Sequence, residues 1–184
     1  MAIEIEKKYR LTAEQRSALI RQLRDVGAQD EGEELEENTL YEGGPIDFNR
    51  NVLRLRRIGE TAVLTYKERL SIDSNAKHQR EEETKIGNPE AMRSILEAIG
   101  FIARLVYEKR RQTWLLGETE IVIDELPFGL FMEIEGTEEG ILAVEHELGI
   151  EDLQMESSTY PQLTRKLGTL VGDVIEARFV NEFH

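Results

Sequence analysis

The sequence predicts an α+β fold: an antiparallel sheet with helices on its apolar face, its charged face curled into a closed barrel around a polar lumen. Three observations predict it. Short segments alternate apolar and charged residues with a period of two, as half-buried strands do. Each helical segment carries a single apolar stripe, so the helices cover a surface rather than bundle around a centre of their own. The polar faces of the strands concentrate carboxylates with Arg and Lys and hold almost no Ser, Thr, Asn or Gln.

The elements follow in order. A first strand is expected over 2–9, with Ile3 and Ile5 on one side and Glu4, Glu6 and Lys8 on the other. Thr12 and Gln15 then form a capping box, Ala18, Leu19, Leu23 and Val26 form a helical stripe, and Gly27 stops the helix. Residues 29–37, rich in Asp and Glu, read as a solvated connection, and 38–42 as a weaker strand. Segments 51–58 and 61–69 are strands joined at Gly59-Glu60, and Leu53 and Leu55 oppose Arg54 and Arg56. After a polar loop at 71–77, the strand 78–86 sets Glu81, Glu83 and Lys85 opposite Thr84 and Ile86.

Asn88 and Pro89 open a second helix, with Met92, Ile95, Leu96 and Ile99 at helical spacing before Gly100. Strands are expected over 104–114, 119–125 and 130–136, separated by Gly117-Glu118 and by Pro127-Phe128-Gly129. On them Lys109 and Arg111 share a face, Asp124 opposes Ile121 and Ile123, and Glu133 and Glu135 oppose Met132 and Ile134. A third helix runs over 138–148 to Gly149, and a fourth over 159–170 places Tyr160, Leu163, Leu167 and Leu170 on one side.

The 184 residues include 37 acidic and 23 basic side chains, a formal charge of −14, which argues against nucleic acid or an anionic membrane as partner. No stretch approaches the ~20 apolar residues of a membrane span, and Met-Ala-Ile-Glu-Ile-Glu lacks the marks of a signal peptide. A cytoplasmic protein of one domain over 1–184 is expected. The absence of cysteine excludes disulfides, thiol nucleophiles and thiolate metal sites. No GxxxxGK[ST] or GxGxxG occurs, so any phosphate binding is not of the P-loop or Rossmann kind. By parity Arg57, Arg69, Arg80 and Arg110 point outward, Trp114 reads as packing, and His78, His146 and His184 as surface residues.

A lumen lined by both signs of charge suggests its ligand. Arg and Lys bind phosphate oxygens, while clustered carboxylates hold Mg²⁺ or Mn²⁺, which bridge to the same oxygens. Together they describe a polyphosphate site.

The order of these residues resembles a known family. Glu4-Ile5-Glu6-Lys7-Lys8 is similar to the ExExK signature of the CYTH superfamily, the triphosphate tunnel metalloenzymes. Leu-Arg-Leu-Arg at 53–56, Leu-Thr-Tyr-Lys at 64–67, Glu81 and Glu83, Lys-Arg-Arg at 109–111, Asp124 and Glu133-Ile134-Glu135 follow in the family's order, and Tyr160 also looks like a family feature. The resemblance implies a closed tunnel of eight antiparallel strands with helices packed outside. It implies that Arg54, Arg56, Lys67, Lys109 and Arg111 grip a triphosphate, with Lys85 as a further candidate, and that Glu4, Glu6, Glu133 and Glu135 hold one or two divalent metals. Lys8 would contact phosphate or tune the nucleophile. Glu81, Glu83 and Asp124 are further tunnel candidates, and Tyr41 lies where some members place a tyrosine beside the signature lysine.

The expected partner is a small-molecule triphosphate, and a homodimer stays open. Two reactions compete: metal-dependent hydrolysis of an inorganic, thiamine or nucleoside triphosphate, and adenylyl cyclisation of ATP. Only three residues precede ExExK, without the His-Phe associated with some bacterial cyclases of the family, which tilts the reading toward hydrolysis. A non-catalytic binder of polyphosphate or nucleotide is the third alternative.

Overall fold

A computed structural model describes residues 5–44, 46, 50–69 and 79–180. Its elements are β1 (Ile5–Leu11), α1 (Ala13–Asp25), β2 (Gln29–Glu42), β3 (Asn51–Ile58), β4 (Thr61–Arg69), β5 (Gln79–Ile86), α2 (Pro89–Ala98), β6 (Ile102–Leu116), β7 (Thr119–Leu126), β8 (Gly129–Gly136), α3 (Glu138–Leu148), α4 (Tyr160–Leu167), β9 (Thr169–Val171) and β10 (Val174–Ala177). The hydrogen-bonded strand order is β1-β8-β7-β6-β2-β3-β4-β5, with β10 beside β6 and β9 beside β10. The α+β class and the helices at the expected places stand. The expectation of eight strands closed into a barrel is corrected to ten strands, and among the described residues no hydrogen bonds join β1 to β5.

Three local features account for the differences. The edge of β1 is taken by residues 154–156, where Gln154 accepts from the Arg10 amide and Lys8 from the Glu156 amide, both at 2.8 Å. The expected fourth helix is cut short at Leu167, and Gly168 turns the chain into the β9–β10 hairpin. A Cβ at Gly168 would lie 2.6 Å from the Thr164 carbonyl and 2.8 Å from that of Glu176, an approach only glycine permits. The acidic run is no loop. It forms the first part of β2, and Gln112 Nε2 donates to Asp30 at 3.1 Å while Arg16 lies 3.9 Å from Glu33.

The chain groups into two compact units, the first comprising residues 1–34 and 109–159 and the second 35–108 and 160–184, so β2 and β6 contribute to both. In the first unit β1, β8, β7 and β6 pair antiparallel in that order. Their apolar face presents Tyr9, Leu11, Met132, Ile134, Ile121, Ile123 and Trp114, which pack with Leu19 and Leu23 of α1 and Ile141, Val144 and Leu148 of α3. Period-two alternation leaves Lys8, Glu133, Asp124 and Arg111 on the other face. The expected capping box of Thr12 and Gln15 forms and Gly149 ends α3 at φ 58°, while the N-cap of α3, unnamed in the sequence reading, is Thr137, which accepts from the Gly140 amide at 3.1 Å.

In the second unit β2, β3, β4 and β5 pair antiparallel. Tyr41, Leu53, Leu55 and Ala62 pack with Leu96 of α2, whose N-cap Asn88 accepts from the Ala91 amide at 3.0 Å with Pro89 at the first helical position. The hairpin's second strand runs parallel to β6, with Ile175 opposite Leu105.

Candidate active site: a charged face in each unit

In the first unit the charged side chains are linked one to the next. Asp124, wholly enclosed, accepts from Arg111 Nε at 2.8 Å and Nη2 at 2.7 Å, the bidentate geometry natural to a guanidinium. Arg111 Nη2 also donates to Glu133 Oε2 at 2.7 Å. The other Glu133 oxygen lies 3.1 Å from Lys8 Nζ, and Lys109 Nζ is 3.5 Å from Asp124. Lys8 Nζ donates further to the Ser158 carbonyl at 3.3 Å and lies 3.8 Å from Glu6. Lys8, Lys109, Asp124 and Glu133 are all buried, so water screens these charges poorly.

One register step from Lys8, three carboxylates stand side by side: Glu6 opposite Glu135 on β8, and Glu135 opposite Glu120 on β7. Like charges in directly opposed positions repel. Glu120 escapes the sequence reading, although it shares parity with Asp124 on the same strand. Glu4 lies outside the described residues. Among the described residues no three His, Cys, Asp or Glu side chains are already gathered as a metal cluster.

In the second unit the register aligns Asn38, Arg56, Val63 and Lys85 in one row and Leu40, Arg54, Thr65 and Glu83 in the next. Lys67 faces Glu81 directly, with Nζ and Oε1 2.9 Å apart. Partial burial pushes the Glu81 carboxyl up, but Lys67, Glu83 and Arg54 outweigh it and hold it below the ordinary carboxylate range. Arg54 donates to Thr65 Oγ1 at 3.4 Å, and Arg56 Nε lies 3.5 Å from Glu36. Glu36, part of the acidic run, is fully buried beside Asn38, which donates to it at 3.1 Å. Neither was expected at a site. The signal was their shared parity, legible only once the run is known to be a strand. Tyr107 joins this cluster, its hydroxyl pushed up by burial against the opposing pull of Arg54 and Arg56. Glu83 and Lys85 are exposed.

Tyr41 is the candidate the structure separates from the charged residues. Opposite Leu53 in the register, it lies in the apolar cluster under α2, on the reverse of the face that carries Arg54 and Arg56. Its hydroxyl has no hydrogen-bond partner among the described residues, and burial raises its pKa. Outward parity holds for Arg57, Arg80 and Arg110, which pair with Glu90, Glu82 and Glu125. Trp114 is buried, and exposed His146 lies 3.2 Å from Glu151. His78 and His184 lie outside the described residues, as does the Arg69 side chain.

In each unit the strands bury one face under helices and crowd Arg, Lys and carboxylates on the other. Residues 2–160 match the CYTH domain family, and the chain belongs to it. It is similar to a protein of Methanocaldococcus jannaschii whose name suggests an adenylate cyclase, 29% identical over 136 residues, 72% of this chain and 76% of that one. A structure from Pyrococcus horikoshii OT3 is 26% identical with a TM-score of 0.71, covering 87% of this chain and 98% of that one. A Hippeastrum protein, described as a proposed adenylyl cyclase with a dominant triphosphatase activity, shares the fold at 21% identity and a TM-score of 0.63, over 91% and 97% of the two chains. No helix among the described residues is long and apolar enough to cross a membrane.

Proposed function

We propose that this chain is a divalent-metal-dependent hydrolase of a triphosphate, inorganic or carried by thiamine or a nucleoside. The observation that carries the reading is the buried Lys8–Glu133–Arg111–Asp124–Lys109 network. Three cations in this network are held in place by carboxylates before any ligand arrives, which removes the reorganisation that free side chains would need to grip phosphate oxygens. Lys109 and Arg111 are the phosphate-binding cations of the first unit, and Arg54, Arg56, Lys67 and Lys85 those of the second. Asp124 orients Arg111 and Lys109, Glu81 and Glu83 orient Lys67 and its neighbours, and Lys8 contacts phosphate or the attacking water. Tyr41, in the apolar core, takes no part.

The row Glu6–Glu135–Glu120 fits a divalent metal by the chemistry of its donors, because hard carboxylate oxygens suit Mg²⁺ or Mn²⁺ and adjacent like charges are relieved by a cation. Glu6 and Glu135, with Glu4 and Glu133 as expected partners, would hold it. When bound, such a metal neutralises charge on the transferred phosphoryl group. The protein's own part is to hold the chain straight, orient the terminal phosphorus and keep Lys8 against it.

A second reading is adenylyl cyclisation, favoured by the name of the M. jannaschii relative. It demands more, since the ribose 3′-oxygen must be aligned with the α-phosphorus, whereas hydrolysis needs only the phosphate chain held and water admitted. The test is incubation with Mg²⁺ or Mn²⁺ and tripolyphosphate, thiamine triphosphate, ATP or GTP, scoring phosphate, pyrophosphate and cyclic nucleotide. Release of phosphate supports hydrolysis, and pyrophosphate with cyclic AMP supports cyclisation. Metal-dependent binding without turnover makes the protein a binder of polyphosphate.

A further inference from the structure

The segment between α3 and α4 does more than connect them. Residues 154–156 lie along the edge of β1, bridged at Tyr9 and Met155, which brings Glu156 and Ser158 beside the strand that carries Lys8. Glu156 Oε1 accepts from the Ser158 amide at 2.7 Å, and its other oxygen pairs with Arg10. The Ser158 carbonyl in turn accepts from Lys8 Nζ at 3.3 Å, on an ammonium that also meets Glu133 at 3.1 Å.

We infer that Glu156 is a positioning residue for Lys8, acting through the backbone of Ser158: the carboxylate pins the Ser158 amide, and the peptide so fixed aims its carbonyl at the ammonium. The physical need is specific. Lysine is a point charge on a flexible four-carbon stem, so it is directed only by the acceptors around it. A carbonyl directs without adding negative charge, leaving the ammonium more of its attraction for a phosphate than a further carboxylate would. The Glu156 carboxyl is held below its ordinary range, chiefly by the Ser158 amide, with the Ser158 side chain and Arg10 adding to it against the opposing effect of burial, so it stays ionised as an acceptor at neutral pH. The inference rests on the reading that Lys8 serves the triphosphate reaction.

The test compares Glu156→Ala with Glu156→Gln in the full chain. Glutamine keeps an oxygen for the Ser158 amide but loses the charge facing Arg10. The first readout needs no turnover: hydrogen exchange of the Lys8 ammonium, observed by ¹⁵N NMR and assigned with Lys8→Arg. Exchange is expected to quicken about tenfold in Glu156→Ala, the scale of one charge-assisted hydrogen bond, and to change little in Glu156→Gln. The second is kcat/KM for tripolyphosphate with Mg²⁺, expected to fall about tenfold in the alanine variant while melting temperature holds. Should the alanine variant fail to fold, Glu156→Asp keeps the charge for Arg10 but shortens the reach to the amide, and it should quicken exchange likewise. Wild-type exchange in Glu156→Ala, or equal quickening in Ala and Gln variants, overturns the inference. If wild type neither binds nor cleaves triphosphate, the functional reading fails, while the exchange comparison still decides whether Glu156 positions Lys8.

Discussion

Asp124→Ala probes the buried charge of the first unit most directly. The Asp124 carboxylate is fully enclosed, receives two hydrogen bonds from Arg111 at 2.8 and 2.7 Å, and lies 3.5 Å from Lys109, whose side chain is 3% exposed. Removing one partner of a buried ion pair costs ~3–5 kcal/mol, because the remaining charge stays where water cannot reach it. Arg111 retains Glu133 at 2.7 Å, which places the loss at the lower end of that range. For a chain of this length each kcal/mol lowers Tm by ~2–4 °C, so a loss of ~3 kcal/mol predicts a drop of roughly 6–12 °C. A polyanion then separates this cause from simple cavity formation. Tripolyphosphate supplies the missing negative charge, so it should raise the Tm of Asp124→Ala by more than it raises that of wild type. Scanning calorimetry with and without tripolyphosphate measures both numbers, with Asp124→Leu as the control for lost volume. A variant that melts with wild type, or one whose deficit tripolyphosphate leaves untouched, would refute the account of Asp124 as the fixed counter-charge of a phosphate-binding pair.

The other predictions are shorter. Arg56→Ala should lower kcat/KM for triphosphate at least about tenfold, while Arg57→Ala, paired outside with Glu90, should change it less than about threefold, since exposed pairs contribute ~0–1 kcal/mol; equal losses in steady-state kinetics would contradict the facing of β3. Glu6→Gln and Glu135→Gln should leave Tm within a few degrees yet raise the Mg²⁺ or Mn²⁺ concentration needed for half-maximal turnover, and unchanged metal titrations would remove these residues from the metal row. Tyr9, Tyr41 and Tyr107 are buried, and burial, joined at Tyr9 by Glu145, raises all three above the ordinary value of 10.0. A raised folded pKa means stability fully present below about pH 10 and lost as pH rises toward the folded values, at up to ~4 kcal/mol per pH unit for three groups. Circular dichroism and the ionisation of these three tyrosines, followed residue by residue by NMR, should therefore change together above pH 10, and tyrosinate forming at any of the three in a still-folded protein would contradict the burial of that ring. Gly168→Ala should destabilise by ~1–3 kcal/mol through the clash with the Thr164 and Glu176 carbonyls, measured by urea unfolding.

The facing of most candidate residues and the ends of several helices were legible because strand alternation and helix capping are local. Leu53 and Leu55 must oppose Arg54 and Arg56 on any extended segment, whatever lies beside it, and the same holds for Ile134 against Glu133 and Glu135. Thr12 with Gln15, Asn88 with Pro89, and Gly149 act within one turn, so the starts of α1 and α2 and the end of α3 could be read from a few residues each. Family resemblance supplied the chemistry that such patterns leave open.

The tertiary structure decided what depends on partners distant in the chain. Residues 29–37 have the composition of a solvated loop, and only backbone pairing to other strands makes them the start of β2, which puts Glu36 against Arg56 and gives Tyr41 to the apolar face. Glu120 comes level with Glu135 and Glu6 because two antiparallel registers coincide, a fact no single strand contains. Ser158 meets Lys8 across 150 residues of sequence. Parity is set by the chain's own geometry, but register and pairing are set by hydrogen bonds between segments that have no sequence relation to one another, and composition carries no record of them.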